Sequence, residues 1–175
     1  MTDQVPLTIE EVQNWIKLLY QDLLKDNVLI GGYYFTFKNL QEFEGIKNQM
    51  EEKSKDLIGR ITKLSKIIQN SADNEAQLAQ NELYNKLSNL KITLKAKNKF
   101  GQYKNLECTL DEFKRVYKEL TEAKKDIEYF RDYSLQELQT LQTDEIPCFM
   151  WFLNDLLNDL RAKFSGKQRN KKPLK

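Results

Sequence analysis

The chain of 175 residues contains no histidine. Imidazole is the commonest general base and metal-binding side chain in proteins, so its absence excludes every catalytic triad that depends on it. Phosphate-binding loops are missing as well, because Gly31-Gly32 lies in neither a GxGxxG nor a GKS/T context. The sequence therefore predicts a protein that is not an enzyme and that uses no cofactor, no metal and no small-molecule substrate.

Cysteine and long apolar runs are equally scarce. Two cysteines, Cys108 and Cys148, are too few for a disulfide framework, and no CxxC pair exists to bind zinc. The longest uninterrupted apolar run, 146–153, has eight residues and is too short to cross a bilayer. The first residues show no basic segment followed by an apolar one, as a signal peptide would. We therefore expect a soluble intracellular protein with no membrane span, cytoplasmic or, in a eukaryote, nuclear.

The composition that remains is typical of long helices. Charged residues make up 31% of the chain and apolar residues 40%, with only six glycines and three prolines. The expected fold class is mainly α, with long antiparallel helices forming a helical bundle or coiled-coil hairpins, and a small β element from about 28–37 and 90–108. One helical domain is expected over 1–165, followed by a basic disordered tail over 166–175.

Helix starts are marked by capping boxes, in which a Thr or Asn is followed three positions later by Glu. Such boxes begin at Thr8, Asn39 and Thr109, and the first predicts a helix over 8–26. The last helix is expected to begin near Pro147, because the fixed φ of proline suits a first helical turn.

An antiparallel helical hairpin is predicted in the middle of the chain. Apolar residues recur at heptad-like spacing from Phe43 to Ile68 and again from Ala76 to Leu90. Polar residues over 70–74 separate the two stripes and predict a turn. The helices on either side should therefore fold back on each other.

Two segments are typical of β-strands. Gly31-Gly32 lies between the β-rich runs 28–30 and 33–37, which indicates a hairpin, although a single bent strand fits equally well. Over 90–97 apolar residues alternate with Lys and Thr, which favours a strand that 102–108 would pair with. A helix over 90–97 remains the alternative, because the leucines over 83–94 also recur at helical spacing.

Positive charge is concentrated in two segments. Residues 83–106 contain six lysines and no acid, and residues 161–175 contain seven basic residues and no acid. The rest of the chain has a net charge of −11, which the overall charge of +2 conceals. Such a division can steer a polyanion or an acidic partner toward one region.

A strand over 90–97 would place Lys91, Lys95 and Lys97 on one face, while Ile92 and Leu94 face the core. Lysines at alternate strand positions suit the spacing of nucleic-acid phosphates, and Lys99 and Lys104 would extend the face around the turn. The predicted nucleic-acid-binding residues are Lys91, Lys95, Lys97, Lys99, Lys104, Lys167, Arg169, Lys171 and Lys172. The aromatic residues available to stack bases are Phe100, Tyr103, Tyr33 and Tyr34. The alternative is that the lysines only solubilise an edge strand and the aromatic side chains lie in the core.

The segment 147–153 is apolar on every side of its helix. Such a helix is either central in a bundle or docked on a partner. The candidate partner-docking residues are Phe149, Met150, Trp151 and Phe152. Asp155 and Asp159 follow one helical turn apart, but with no second acidic segment the pattern favours a solvated face over a magnesium site.

These patterns together predict a non-enzymatic helical accessory subunit of a larger assembly. It would contact other protein subunits through its helices, and RNA or DNA through the lysine-rich strand and the tail. The alternatives are a protein-only coiled-coil scaffold or adaptor, and a small carboxylate enzyme. The general character is similar to that of small helical subunits of ribonucleoprotein complexes, although no stretch matches a family signature.

Overall fold

A computed structural model describes residues 8–71 and 73–166. Over these residues the protein is mostly helical, with five α-helices and four short β-strands that pair as antiparallel hairpins. The elements are α1 (Ile9–Leu23), β1 (Asn27–Ile30), β2 (Tyr33–Thr36), α2 (Asn39–Asn70), α3 (Asn74–Ser88), β3 (Lys91–Lys97), β4 (Tyr103–Thr109), α4 (Leu110–Leu138) and α5 (Ile146–Phe164), with a 3₁₀ turn over Thr143–Glu145. The mainly helical class and the small β element are confirmed, whereas the coiled-coil geometry of the helices stays a prediction.

The chain divides into two compact units. Residues 8–37 and 119–166 belong to one, called here the terminal unit, and residues 38–118 make up the other, the central unit. The boundary falls within α4. The expectation of a single domain over 1–165 stays a prediction. The predicted tail lies almost wholly outside the described residues.

The core of the terminal unit is built from one buried stripe on each helix. In α1 this stripe is Val12, Ile16 and Leu23. α1 begins as predicted, because Thr8 and Glu11 form a reciprocal capping box, but it ends at Leu23, three residues earlier than expected. The rings of Phe37 and Phe164 meet edge to face, with centroids 5.8 Å apart.

The central unit contains α2 and α3, which run antiparallel. The Gln80 side chain donates hydrogen bonds to the carbonyl of Ile61 at 3.2 Å and to the hydroxyl of Ser65 at 2.7 Å. The two helices end and begin at the predicted turn, of which residue 72 lies outside the described residues. Ile61 is buried, but Leu57 and Leu64, expected in the same seam, are only half-buried. The contact is therefore thinner than the apolar stripe predicts.

The start of α4 belongs to the central unit and packs on α2. The rings of Phe43 and Phe113 meet edge to face at 5.8 Å, and both side chains are almost fully buried. The predicted capping box at Thr109 is confirmed, since the Glu112 amide donates to Thr109 Oγ1 at 3.2 Å and the Thr109 amide donates to Glu112 Oε1 at 2.9 Å.

The helix α2 begins one residue earlier than the capping box at Asn39 predicts. Asn39 is the first residue of α2, and the residue before it, Lys38, makes no capping hydrogen bond through its side chain. A capping side chain requires an extended backbone. Lys38 is already helical, with φ −63° and ψ −26°, so the N-cap position lacks the extended backbone of a capping box.

Both strand pairs are antiparallel hairpins. β1 pairs with β2 from Asn27 opposite Thr36 to Ile30 opposite Tyr33. Gly31 and Gly32 form the two-residue turn with φ of 60° and 86°, a conformation that favours glycine. This decides between the hairpin and the single bent strand.

The segment 90–97 is a strand, not a continuation of the preceding helix. β3 pairs with β4 along its whole length, from Lys91 opposite Thr109 to Lys97 opposite Tyr103. Cys108 lies on the buried face of this hairpin, opposite Ile92. Burial raises the pKa of the Cys108 thiol, and the neighbouring Glu112 raises it further. The other cysteine, Cys148, is free and exposed on α5.

Candidate nucleic-acid interface

The β3–β4 hairpin separates apolar from charged residues by alternation. Ile92, Leu94 and Ala96 are buried, with 6%, 1% and 3% exposure. Directly opposite residues of paired strands share a face. The outward face, called here the lysine face, consists of Lys91, Thr93, Lys95, Lys97, Tyr103, Asn105, Glu107 and Thr109. Three of the predicted lysines therefore lie together on one surface of the central unit.

The tip of the hairpin is held by one side chain. Asn98 Oδ1 accepts hydrogen bonds from the amides of Phe100 and Gln102, at 2.9 and 3.0 Å, and Asn98 Nδ2 donates to Gln102 Oε1 at 3.0 Å. Gly101 completes the turn with φ of 80°. These bonds fix the backbone from which Phe100 and Tyr103 project.

Cations and aromatic rings are paired at this tip. Phe100 and Tyr103 are each 75% exposed. The ammonium of Lys97 lies 5.0 Å from the centroid of Tyr103, and that of Lys99 lies 5.3 Å from the centroid of Phe100. Exposed rings beside cations are the two components that proteins use to bind single-stranded nucleic acid, the rings for the bases and the cations for the backbone.

The register places Lys104 differently from the prediction. Lys104 is opposite Ala96, so it belongs to the other face of the hairpin, although its side chain is exposed. The expectation that Lys104 extends the lysine face is wrong, because strand alternation separates it from Tyr103 and Asn105. Lys99 lies in the turn itself. The tail residues Lys167, Arg169, Lys171 and Lys172 lie outside the described residues.

One acidic residue on the lysine face escaped the sequence reasoning. Glu107 is opposite Thr93 and is the first acid after the lysine-rich segment. In sequence Glu107 lies just outside the acid-free segment 83–106, so only the strand register shows that it shares a face with the lysines. The lysine face therefore combines three lysines with one carboxylate.

The other predicted aromatic and apolar residues differ in how far they are exposed. Tyr33 and Tyr34 are half-buried in the terminal unit. In the candidate docking set, Phe149 is a core residue with 8% exposure and Met150 is half-buried, whereas Trp151 and Phe152 are 75% and 44% exposed. α5 is thus neither central on every side nor a single exposed surface, and partner docking by Trp151 and Phe152 stays a prediction.

No known protein family, curated protein or solved structure matches this chain. Within the described ranges, no group of three or more Cys, Asp or Glu residues is placed to hold a metal ion. No helix in those ranges has both the length and the apolar character needed to cross a membrane.

Proposed function

We propose that this protein is a non-enzymatic helical accessory subunit of a larger assembly and that it contacts nucleic acid through the β3–β4 hairpin. The observation that carries the proposal is the hairpin tip, where Lys97 and Lys99 lie over the exposed rings of Tyr103 and Phe100. A single strand would stack its bases on these rings and place its phosphates near the lysines.

The spacing of the lysine face supports this geometry. Side chains two positions apart on one strand are about 6–7 Å apart, so Lys95 and Lys97 can contact neighbouring phosphates while Lys91 reaches further along the backbone. The tail lysines are proposed to add contacts of the same kind.

A purely solubilising role accounts for less of what is observed. Lysines alone protect an edge strand from pairing with other chains. They do not require large exposed rings, which work against solubility. The presence of Phe100 and Tyr103 at the same tip as the lysines therefore favours a ligand that has both charge and flat apolar rings.

The accessory-subunit part of the proposal is supported by α2 and α3. Ile58, Ile67 and Leu78 on these helices are 51%, 46% and 65% exposed, which is costly for apolar side chains that remain in water. Coiled-coil contacts with another subunit would cover them. The same observation favours the alternative function, a protein-only scaffold that does not bind nucleic acid.

The test compares single-stranded and duplex RNA and DNA by fluorescence anisotropy over a range of salt. Replacing Lys91, Lys95 and Lys97 by Gln should flatten the slope of log affinity against log salt by about two to three units, because each lost phosphate contact retains its counterion. The variant Phe100→Ala/Tyr103→Ala should weaken single-strand binding by roughly tenfold or more with little change of slope, since stacking on a ring is sequence-tolerant and uncharged.

A matched control variant loses the same number of positive charges on α2 instead of on the hairpin. Lys53, Lys63 and Lys66 are exposed on α2, and replacing all three by Gln should change the slope much less. Removing residues 167–175 should flatten the slope further and independently. If the parent protein binds none of the four nucleic acids at low salt, alone or in its native assembly, the scaffold function replaces the proposal.

A further inference from the structure

The terminal unit has a second candidate site, an open groove between α4 and α5. The helices run antiparallel there, since Asp126 contacts Lys163 and Tyr133 contacts Phe152. The groove has a volume of about 260 Å³. It is lined by Asp126, Tyr129, Phe130, Tyr133, Leu156, Asp159, Leu160 and Lys163.

One wall of the groove is aromatic and accessible. The rings of Tyr129 and Tyr133 stack with centroids 5.9 Å apart and planes 18° apart, and Phe152 meets Tyr133 edge to face at 6.3 Å. The Tyr133 hydroxyl donates to Glu137 Oε1 at 3.3 Å, which helps to fix the ring. Tyr129 remains 69% exposed and Phe152 44% exposed. These are large, ordered apolar surfaces of the kind that anchor protein interfaces.

The surroundings of the groove are acidic. Residues 126–164 contain eight acidic and three basic residues, a net charge of −5. All three basic residues are already engaged with carboxylates, in the pairs Arg131–Asp132 at 2.9 Å, Arg161–Asp26 at 3.3 Å and Lys163–Asp126 at 2.7 Å. Among the charged residues that line the groove, Asp126 is paired with Lys163, so the negative charge that an incoming partner meets comes from the excess of acidic residues along the two helices.

We propose that this groove binds an amphipathic helix of another protein, with leucine-like side chains on its inner face and Lys or Arg on its flanks. A groove between two antiparallel helices accepts the ridge of a third helix, and the inner face would cover Tyr129, Tyr133, Leu156 and Leu160. The flanking cations complement the acidic surroundings and give the interaction its specificity.

The charge also argues against the other occupants. A symmetric dimer would place this surface against its own copy, and so bring two acidic surfaces together. Nucleic acid and anionic membranes would be repelled in the same way. The proposal does not depend on the hairpin contacting nucleic acid, because it concerns different residues of a different unit.

The probe is a fluorescein-labelled synthetic peptide of 18 residues, on the order of five helical turns, with Leu along one helical face and Lys on its flanks. Two matched peptides have Glu in place of every Lys, or the same composition with Leu distributed around all faces. The full chain should bind the first peptide at least about tenfold more tightly than either of the others, because apolar burial and charge pairing both contribute. Circular dichroism should show the bound peptide gaining helix.

Variants of the protein locate the site. Tyr129→Ala should weaken binding by about tenfold, whereas Tyr84→Ala, at a tyrosine 48% exposed on α3, should have no effect. Asp159→Asn should weaken binding a few-fold at low salt and much less at high salt, because salt screens charge pairing between exposed groups.

Three results would overturn the proposal. If the Leu-scrambled peptide bound as tightly as the amphipathic one, the interaction would be unspecific charge attraction. Equal affinities for the parent and Tyr129→Ala would place the peptide elsewhere. A dimer that Tyr129→Ala dissociates in sedimentation would assign the groove to a second copy. Nucleic-acid affinity measured on the same preparations reports separately on the hairpin, so failure of one proposal is distinguishable from failure of the other.

Discussion

Ser134 is the one polar residue among the described residues that is fully buried, at 0% exposure, and its hydroxyl has no hydrogen-bond partner there. A buried polar group left unsatisfied costs about 1–3 kcal/mol. Alanine removes that group and also has the higher helix propensity. Ser134→Ala should therefore stabilise the protein by about 1 kcal/mol, which thermal melting would show as an increase in Tm of a few degrees.

Ser165 provides the matched control for this prediction. It lies at the end of α5, and its hydroxyl donates to the carbonyl of Ala162 at 3.0 Å. Ser165→Ala should leave the Tm unchanged or lower it slightly. A lower Tm for Ser134→Ala would show that the Ser134 hydroxyl has a partner in solution.

Asp26 makes stability depend on pH. Burial raises the pKa of Asp26 above its ordinary value of 3.8, and the Arg161 guanidinium, which donates to its carboxylate, offsets only part of this increase. The folded protein therefore binds the proton more tightly than the unfolded chain. The resulting stabilisation is complete below pH 3.8 and is lost as the pH rises through the folded-state pKa.

Asn cannot ionise, so Asp26→Asn removes this dependence. The Tm of Asp26→Asn should match that of the parent at acidic pH and exceed it at neutral pH. Melting curves over a pH series test this. Arg161→Gln, which removes the opposing charge, should destabilise the protein more at neutral than at acidic pH. A neutral-pH Tm for Asp26→Asn below that of the parent would contradict the expected sign.

In α2, residues of the same apolar stripe are buried to different extents. Ile61 and Leu64 belong to the same predicted seam, but Ile61 is 6% exposed and Leu64 is half-buried beside Ala79 and Leu83. Ile61→Ala should cost about 2–4 kcal/mol, because it leaves a cavity. Leu64→Ala should cost about half as much, since water already reaches part of the side chain. Urea denaturation measures both values, and equal losses would mean that the seam is uniformly buried.

The sequence predicted those elements whose signals are local. The capping boxes at Thr8 and Thr109 need only two side chains three positions apart, and alternation over 90–97 needs only the strand itself. The box at Asn39 placed the N-cap one residue too late, because the backbone at Lys38 is already helical. Nothing in the pattern of side chains records that conformation.

Register was not predictable from the sequence. A shift of one residue in a strand moves every side chain to the other face, and the turn between Asn98 and Gln102 sets that shift in the β3–β4 hairpin. This is why the prediction placed Lys91, Lys95 and Lys97 correctly on one face but assigned Lys104 to it and overlooked Glu107. The three correct residues lie on a single strand, whereas the other two required the pairing.

On the scale of the whole molecule, the two units have net charges of opposite sign. The central unit has 16 basic and 11 acidic residues, a net charge of +5, whereas the described part of the terminal unit has 7 basic and 14 acidic residues, a net charge of −7. The sequence showed basic segments but not that 8–37 and 119–166 belong together, because contacts between distant segments leave no local pattern. The two proposals accordingly assign a polyanion to the central unit and a basic helix to the terminal unit.

The exposure of Trp151 was also beyond the sequence. An apolar segment on every side of a helix predicted burial or docking, and hydrophobicity alone does not determine which side faces water. Trp151 lies on the side of α5 away from its buried stripe. The sequence could name the segment but not the orientation of the helix.

The two cysteines differ in what they report about the protein. A thiol-specific reagent reaches Cys148 at the surface at once, whereas it reaches Cys108 only when the β3–β4 hairpin separates from the core beneath it. Modification of Cys148 therefore measures the total protein, and modification of Cys108 measures how often the hairpin opens. The rate at which the doubly modified protein appears in mass spectrometry therefore reports the rate of hairpin opening. A ligand that holds the hairpin closed would lower that rate.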